Sequence, residues 1–401
     1  MAAMASAGSA HEERYSASGD HAYKRWPRYR AASEGLQNYW YPVAFSKRVG
    51  RKPVPVTICG ERLFLIRHDG KAFALDDRCA HRGVPLSMGK CWFAGTISCA
   101  YHGWTYDLAD GSLRAALVDG RDSPIVGNKS VRVRTYPVEE HGGVVFVYVG
   151  DGEPPPITTD VPEDFFQPGV RVRGWLRTRK GDWRYAVENG FDEGHSTYLH
   201  RGVVWTWIRR KPAYRVVHVE QEGDWLVRTV DDVVEQVDYP GLGTWPHGFR
   251  PWQRNVVVRG SVRLPGWVRI QWPDWTAYEV FMGTTDGAHL SFMFAVSHAP
   301  GLRAAWFGLR FWLYIRWAYM WQFNRQDQQM IEQVRIPPER LFRPDKSVTV
   351  WRAHCERNAR GMQGPASETA VHLSDGDEPV WDDSAVFDDS DVPAPIAGDG
   401  G

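Results

Sequence analysis

Two short motifs constrain this chain more than any other feature: Cys79-Ala80-His81 and, seventeen residues later, Cys99-Ala100-Tyr101-His102. If they act as one ligand set, the fold must bring two separate loops to a common point. Two thiolates and two imidazoles can close a tetrahedral zinc site, or hold a [2Fe–2S] cluster in which two His replace two Cys on one iron. Zinc arms are usually chemically uniform, with C-x₂₋₄-C knuckles and H-x₃₋₅-H pairs. Here each arm supplies one Cys and one His, in the unequal forms C-x-H and C-x-x-H. That split suits a binuclear cluster whose one iron takes both thiolates and whose other takes both imidazoles.

The neighbours of these ligands refine the reading. Gly83 and Gly103 stand beside the two His motifs, where tight loops let backbone N–H groups approach the sulfides. Hydrogen bonds to sulfur, net charge and exposure tune such a Rieske-type cluster. Respiratory Rieske proteins carry an extra Cys in each loop and a Ser after the second His. This chain has Val84 and Ala100 near those places, and Trp104 two residues after His102. Fewer hydrogen bonds to the cluster predict a low potential, suited to feeding electrons into oxygen chemistry rather than accepting them from quinol.

At 401 residues the chain is long enough for two or three domains with cores of their own. Lys+Arg and Asp+Glu balance at 48 each, so the overall charge gives no electrostatic argument for nucleic acid or an acidic surface as a partner. Five Cys are too few for a disulfide framework. Cys59, Cys91 and Cys355 read as plain thiols in a reducing, cytoplasmic compartment. Met1 to Asp20 is small and polar and shows no apolar core of a secretion signal. Trp306 to Phe323 approaches the length of a membrane span. Arg310 and Arg316 interrupt it, however, and each would cost about 2.5–3.5 kcal/mol at a bilayer centre. It reads as an amphipathic helix laid on a core, with no membrane span.

Short β-rich runs fill the region from 38 to 150: Val54 to Ile58, Arg62 to Arg67 and Val144 to Val149. Their spacing predicts a small all-β domain holding both ligand loops. Residues 1–37 read as a polar arm followed by a short helix. Asp151-Gly152-Glu153-Pro154-Pro155-Pro156 breaks regular structure and opens a second domain over 151–363. That domain reads as a helix around 182–200, strand-like segments to about Val296, and the aromatic helix running on to Val334. The tail over 364–401 is acidic and rich in Ser, Pro and Gly, and is expected to be disordered. The fold class is α+β. Gly241-Leu242-Gly243 is followed by Pro246 where a dinucleotide fingerprint needs its third Gly, so the chain binds no nicotinamide cofactor by that motif.

The helix after the linker carries a second constellation, Glu188 to His200. On a regular helix Glu188, Asp192 and His195 share a face. His200, five residues after His195, would point away, so the helix must bulge or end between them if both bind one metal. Two His plus one carboxylate is the ligand set of non-haem Fe(II) oxygen chemistry. Three acids compete for the third place: Asp192, Glu188 and Asp327. A lone Asp at the end of a strongly apolar helix face is costly to bury unless paired or metal-bound, which favours Asp327.

These residues resemble the terminal oxygenase components of the Rieske non-haem iron oxygenases, and within them the branch acting on carbazole-like compounds. The similar stretches are Asn38 to Val43, Asp77 to Val84, Gly150 to Pro156, Trp183 to Asp192, and Phe323-Asn324 with Asp327. The resemblance spans about 36–360 and is sparse over 201–300. It implies a small all-β Rieske [2Fe–2S] domain joined to a helix-grip catalytic domain with a large antiparallel sheet. It makes Cys79, His81, Cys99 and His102 the cluster ligands, and His195, His200 and Asp327 the ligands of a mononuclear Fe(II). Asp192 becomes the bridge from a neighbouring subunit's cluster, and Gly190, Phe323 and Asn324 face the substrate. The implied partners are a ferredoxin, O₂ and an apolar aromatic substrate, in a homotrimer. The implied reaction is angular or cis-dihydroxylation of a polycyclic or heteroaromatic compound such as carbazole. The alternative is a monooxygenase, hydroxylating or demethylating a steroid- or terpenoid-like substrate. The His pair is one residue wider than in the carbazole branch.

Overall fold

A computed structural model describes residues 25–200, 203, 214–233, 237–244, 259–272, 274–284, 287–334 and 339–362. The acidic tail expected over 364–401 and most of the N-terminal arm lie outside these residues. The arm's short helix is α1, Pro27–Ala31.

The first half is built from ten strands: β1 Tyr39–Phe45, β2 Val54–Ile58, β3 Glu61–His68, β4 Lys71–Asp76, β5 Thr96–Ser98, β6 Trp104–Asp107, β7 Leu113–Ala116, β8 Thr135–Tyr136, β9 Val138–His141 and β10 Val144–Val149. They form three antiparallel sheets ordered β1-β10-β9, β2-β3-β4-β8 and β5-β6-β7. β10 is an unbroken apolar run, buried on both faces because it lies between β1 and β9 and under the second half. β3 and β4 close through Asp69-Gly70, both at positive φ, the backbone a tight hairpin needs. One ligand loop lies between β4 and β5 and the other between β5 and β6.

The second half opens with β11, Arg171–Lys180, then α2, Trp183–Phe191, and the single-turn α3, Ser196–Leu199. The strands that follow are β12 Tyr214–Glu222, β13 Trp225–Val233, β14 Asp238–Tyr239, β15 Gly243–Thr244, β16 Gly260–Arg263, β17 Trp267–Gln271, β18 Thr276–Gly283 and β19 Ala288–Ser297. Seven strands make one antiparallel sheet in the order β11-β19-β18-β17-β16-β13-β12, as the resemblance implied. A long helix then crosses it: α4 Leu302–Arg310, a π-helical stretch Phe311–Phe323, and α5 Asn324–Gln333.

Strand alternation sets which face meets what. Ala277, Met293 and Ala295 pack against Phe307, Phe311 and Ile315 of the long helix. Their neighbours Tyr278, Phe292 and Phe294 face the other way, into the main core. There Phe45 of β1 meets Phe292 edge-on at 5.0 Å, so the two halves share a core. The Pro-rich linker is strapped to that core as well, since Trp40 Nε1 donates to the Pro155 carbonyl at 2.8 Å. No described helix is long and apolar enough to cross a membrane.

Two departures from the sequence reading matter. The helix expected over 182–200 stops at Phe191, and Asp192 is extended (φ −75, ψ 133). Asp192 Oδ1 accepts from the Gly194 N–H at 2.7 Å, a local turn that competes with helix. A helix not foreseen, α6 Lys346–Asn358, buries residues all round, among them Arg352. Arg352 reaches Glu188 of α2 through Nε and Nη2, at 2.9 and 2.7 Å, and Glu339 at 2.5 and 2.9 Å. Glu356 caps α1 from the same helix, accepting from the Arg28 and Tyr29 N–H groups at 3.0 Å each. Removing one partner of a fully buried pair strands the other, so Arg352→Leu is expected to cost about 3–5 kcal/mol. Chemical unfolding should show that loss, and Arg352→Leu combined with Glu188→Leu should recover part of it.

Candidate metal centres

The two Cys/His loops share a local fold. In the first, the Cys79 N–H bonds the Val84 carbonyl at 2.9 Å and the Gly83 N–H bonds the Cys79 carbonyl at 2.8 Å. In the second, Cys99 bonds the Trp104 carbonyl at 2.8 Å and Gly103 bonds the Cys99 carbonyl at 3.1 Å. Gly83 and Gly103 sit at φ 72 and φ 65, which explains the glycines the motifs carry. Both Cys are buried, while His81 is exposed and His102 half-buried, their rings 4.7 Å apart. Thiolates lie inward and imidazoles outward. Among the described residues no three of these four offer ligand atoms within 4.8 Å of one another, as a single zinc ion would need. A cluster with two bridging sulfides spans more, and its donor chemistry fits this set.

Two neighbours add to what sequence showed. Trp104 stacks on His81 at 4.7 Å and 11°. Tyr106 Oη lies 3.3 Å from Cys79 Sγ and accepts from the Ala80 N–H at 3.1 Å; against a Cys79 thiolate, which has no proton, the hydroxyl would be the donor. That is a hydrogen bond the sequence reading did not count.

At the second constellation the break after α2 does the positioning. Glu193, just past it, is held by Arg215 of β12 at 2.5 Å and by Arg228 of β13 at 2.6 Å. Arg228 also donates to the last helical carbonyl, Phe191, at 2.6 Å. The clamp sets His195 before α3 and His200 after it, and the two rings meet edge-on at 5.3 Å. Asp327 enters from α5. His195, His200 and Asp327 bring one ligand atom each within 4.8 Å, the single such group among the described residues.

The outer ring nitrogens are spoken for. His195 Nδ1 lies 2.9 Å from Asp192 Oδ2, and His200 Nδ1 lies 3.0 Å from Gln326 Oε1. Both partners are acceptors, so each Nδ1 carries a proton and each Nε2 is the nitrogen that faces inward. Those Nε2 atoms stand 3.4 and 3.1 Å from Asp327 Oδ1, which accepts no aligned hydrogen bond among the described residues. They are aimed at a shared point rather than at one another, which fits a divalent iron. Burial pushes the Asp327 carboxyl up, but the two imidazoles outweigh it and hold the group below the usual carboxylate range. Burial likewise opposes the charged form of His195, and Asp192 and Asp327 overcome it, to about 10. A bound cation would displace that proton.

The remaining expected residues are distributed as follows. Glu188 is committed to Arg352, and Asp192 to the back of His195. Phe323 stacks on His200 at 3.7 Å and on Tyr319 at 5.5 Å. Asn324 is buried and accepts from Arg179 at 2.5 Å. Gly190 packs so closely on Val268 that an added Cβ would lie 3.0 Å from it. Beyond that set, Trp267 belongs to the main core, whereas Trp272 and Trp275 stack at 5.7 Å under the long helix. Sequence reasoning missed Gln326, Arg215, Arg228 and Glu279. Glu279 accepts from Tyr319 Oη at 3.1 Å, and burial with the nearby Asp327 charge raises it to about 7. Only Gln326 left a signal, one residue before an Asp already under suspicion. Gln326→Leu is expected to weaken Fe(II) binding about 10–100-fold, read by metal titration of the purified chain.

Family models match both halves. Residues 39–137 match the Rieske [2Fe–2S] domain, and 148–214 the homotrimeric ring hydroxylase model. The terminal oxygenase component of carbazole 1,9a-dioxygenase from a Sphingomonas species is 31% identical over 371 residues, 85% of this chain and 96% of that protein. Its counterpart from Metapseudomonas resinovorans is 43% identical over 180 residues, 44% of this chain and 46% of that protein. Among solved structures, the terminal oxygenase from Nocardioides aromaticivorans aligns at a TM-score of 0.73 and 31% identity, covering 82% of this chain and 96% of that one. The oxygenase in a reduced oxygenase–ferredoxin complex of carbazole 1,9a-dioxygenase aligns at 0.75 and 28% identity, covering 88% and 97%.

Proposed function

Since this chain belongs to the terminal oxygenases of the Rieske ring-hydroxylating dioxygenase family, we propose that it dihydroxylates an apolar polycyclic or heteroaromatic compound of the carbazole type, by angular or cis attack. The observation that carries the reading is the triad His195, His200 and Asp327, with both outer nitrogens fixed and an aromatic ring stacked on His200. The likeness to carbazole oxygenases over most of the chain supports the substrate class.

In this reading Cys79 and Cys99 hold one cluster iron, His81 and His102 the other, and the triad holds the mononuclear Fe(II). When bound, the cluster supplies single electrons and the Fe(II) supplies oxygen activation. The chain's own residues do the rest. Gln326 and Asp192 fix the tautomer and direction of the two imidazoles. Phe323 covers His200 and keeps water from that side. Gly190 lets α2 pack directly on Val268 of β17, where a side chain would collide. Arg179 orients the Asn324 amide toward a fixed direction. Asp192, with 20% of its side chain exposed, touches both His195 and the outside. It is the group a neighbouring subunit's cluster histidine would bond, in a head-to-tail homotrimer fed by a ferredoxin. The free thiols suit a reducing cytoplasmic compartment.

Turnover of candidate aromatics under ¹⁸O₂ tests the reaction. A diol carrying two labelled atoms is expected; a single labelled hydroxyl would assign a monooxygenase. Asp327→Ala is expected to lose the mononuclear iron and keep the cluster absorbance. Iron retained with activity would move the carboxylate to Asp192. Asp192→Asn should keep both metals while turnover falls about 10–100-fold, and wild-type turnover would remove the bridge.

A further inference from the structure

The long helix that brings Asp327 to the site has a second face. Its inner side, through Ala304, Phe307, Phe311, Ile315 and Tyr319, is buried against the sheet. Its outer side exposes Trp306, Leu309, Trp312, Leu313, Trp317 and Trp321, each between 40% and 71%. Single exposed hydrophobes are ordinary on a surface, whereas a continuous row of this size marks a contact. The row is interleaved with charge of one sign. Residues 302–325 contain Arg303, Arg310, Arg316 and Arg325 and no Lys, Asp or Glu, in a chain whose net charge is +0. Arg316 lies over the Trp312 ring at 4.7 Å and Arg325 over Trp321 at 5.6 Å. Arg310 is paired with Asp274 at 2.5 Å, which leaves Arg303, Arg316 and Arg325 as the exposed charges of the strip.

We propose that the outer face of the helix Leu302–Phe323 docks on an anionic phospholipid surface, lying in the headgroup layer without crossing it. The composition decides the occupant. The exposed charges of the strip, Arg303, Arg316 and Arg325, are all positive and have no acid among them over 302–325, which complements a surface of phosphates. Indoles at headgroup depth, with Arg beside them to meet phosphates, are the chemistry of a surface-bound amphipathic helix. A nearly linear row along one helix presents to a plane rather than to a pocket. The inner face of the same helix carries Tyr319 and Phe323 to His200, so the contact would place the site one helix thickness from dissolved apolar compounds. That last link rests on the substrate class proposed above; the docking itself does not.

Flotation of the full chain with vesicles tests the proposal. The chain is expected to rise with phosphatidylcholine–phosphatidylglycerol vesicles and to stay behind with phosphatidylcholine alone. Arg316→Gln and Arg325→Gln should each lower the partition about fivefold. Trp312→Glu combined with Leu313→Glu should abolish it at unchanged oligomeric mass. No flotation with the anionic vesicles would overturn docking. So would a change of oligomeric mass in these variants with vesicle binding intact, which would make the face a contact between copies of the chain. Should the Glu variant misfold, hydrogen exchange on the wild-type protein decides. Slowing across 302–321 on addition of anionic vesicles supports docking, and unchanged exchange rejects it. Neither readout uses turnover, so failure here leaves the oxygenation reading standing, and the reverse holds.

Discussion

A carboxylate buried at 5% exposure, Asp327, is the constraint on which the catalytic half depends. An isolated charge there would be prohibitive, and it is tolerated because two imidazoles meet it. That requirement propagates outward. Both imidazoles must point their Nε2 atoms at one place, so both Nδ1 atoms need acceptors, which Asp192 and Gln326 provide. The histidines are five residues apart, so the helix before them must end, and Asp192 ends it with the same side chain that orients His195. The freed loop must then be pinned, which falls to Arg215 and Arg228 through Glu193. Finally the helix carrying Asp327 must be held against the sheet, and Ala277, Met293 and Ala295 of β18 and β19 do so together with Trp275.

The two centres were legible to different degrees because their ligands are distributed differently along the chain. Cys79 to His102 form two local loops, each closed by its own backbone bonds and its own glycine, so motif and structure are nearly the same object. The candidate iron triad is half local. The spacing of His195 and His200 demands a break, yet where it falls depends on Asp192 preferring a turn. Three acids were candidates for the third ligand, and tertiary pairing favours Asp327, because Arg352 takes Glu188 and His195 takes Asp192 from behind. Nothing near Arg352 in the sequence announces that bond.

The parts that stayed illegible are those whose role comes from distant neighbours. α6 shows no apolar stripe, because Ser347, Arg352, His354 and Glu356 are buried along with Val348 and Trp351. It reads as polar and packs as core, with Glu188 and α1 supplying the compensating bonds. Tyr106 lies on β6 like any strand aromatic until the fold sets its hydroxyl against Cys79 Sγ. The aromatic helix was read as amphipathic, and its inner face agrees. Its outer face is the surprise, since alternation of Trp with Arg satisfies a water-facing pattern while keeping much apolar area outside.

The placement of the ligands also orders events in time. Every residue of the sulfur-and-imidazole cradle leaves the ribosome within one short stretch, between the strands β3 and β4 and the strands β6 and β7 that bury its cysteines. His195 and His200 come about a hundred residues later, and Asp327 more than a hundred after them. Domains tend to fold in the order of synthesis. A nascent chain therefore completes its first metal cradle while the acid of the second does not yet exist. On that order of synthesis the residues proposed for the cluster are all present in the nascent chain before the helix that brings the acid proposed for iron.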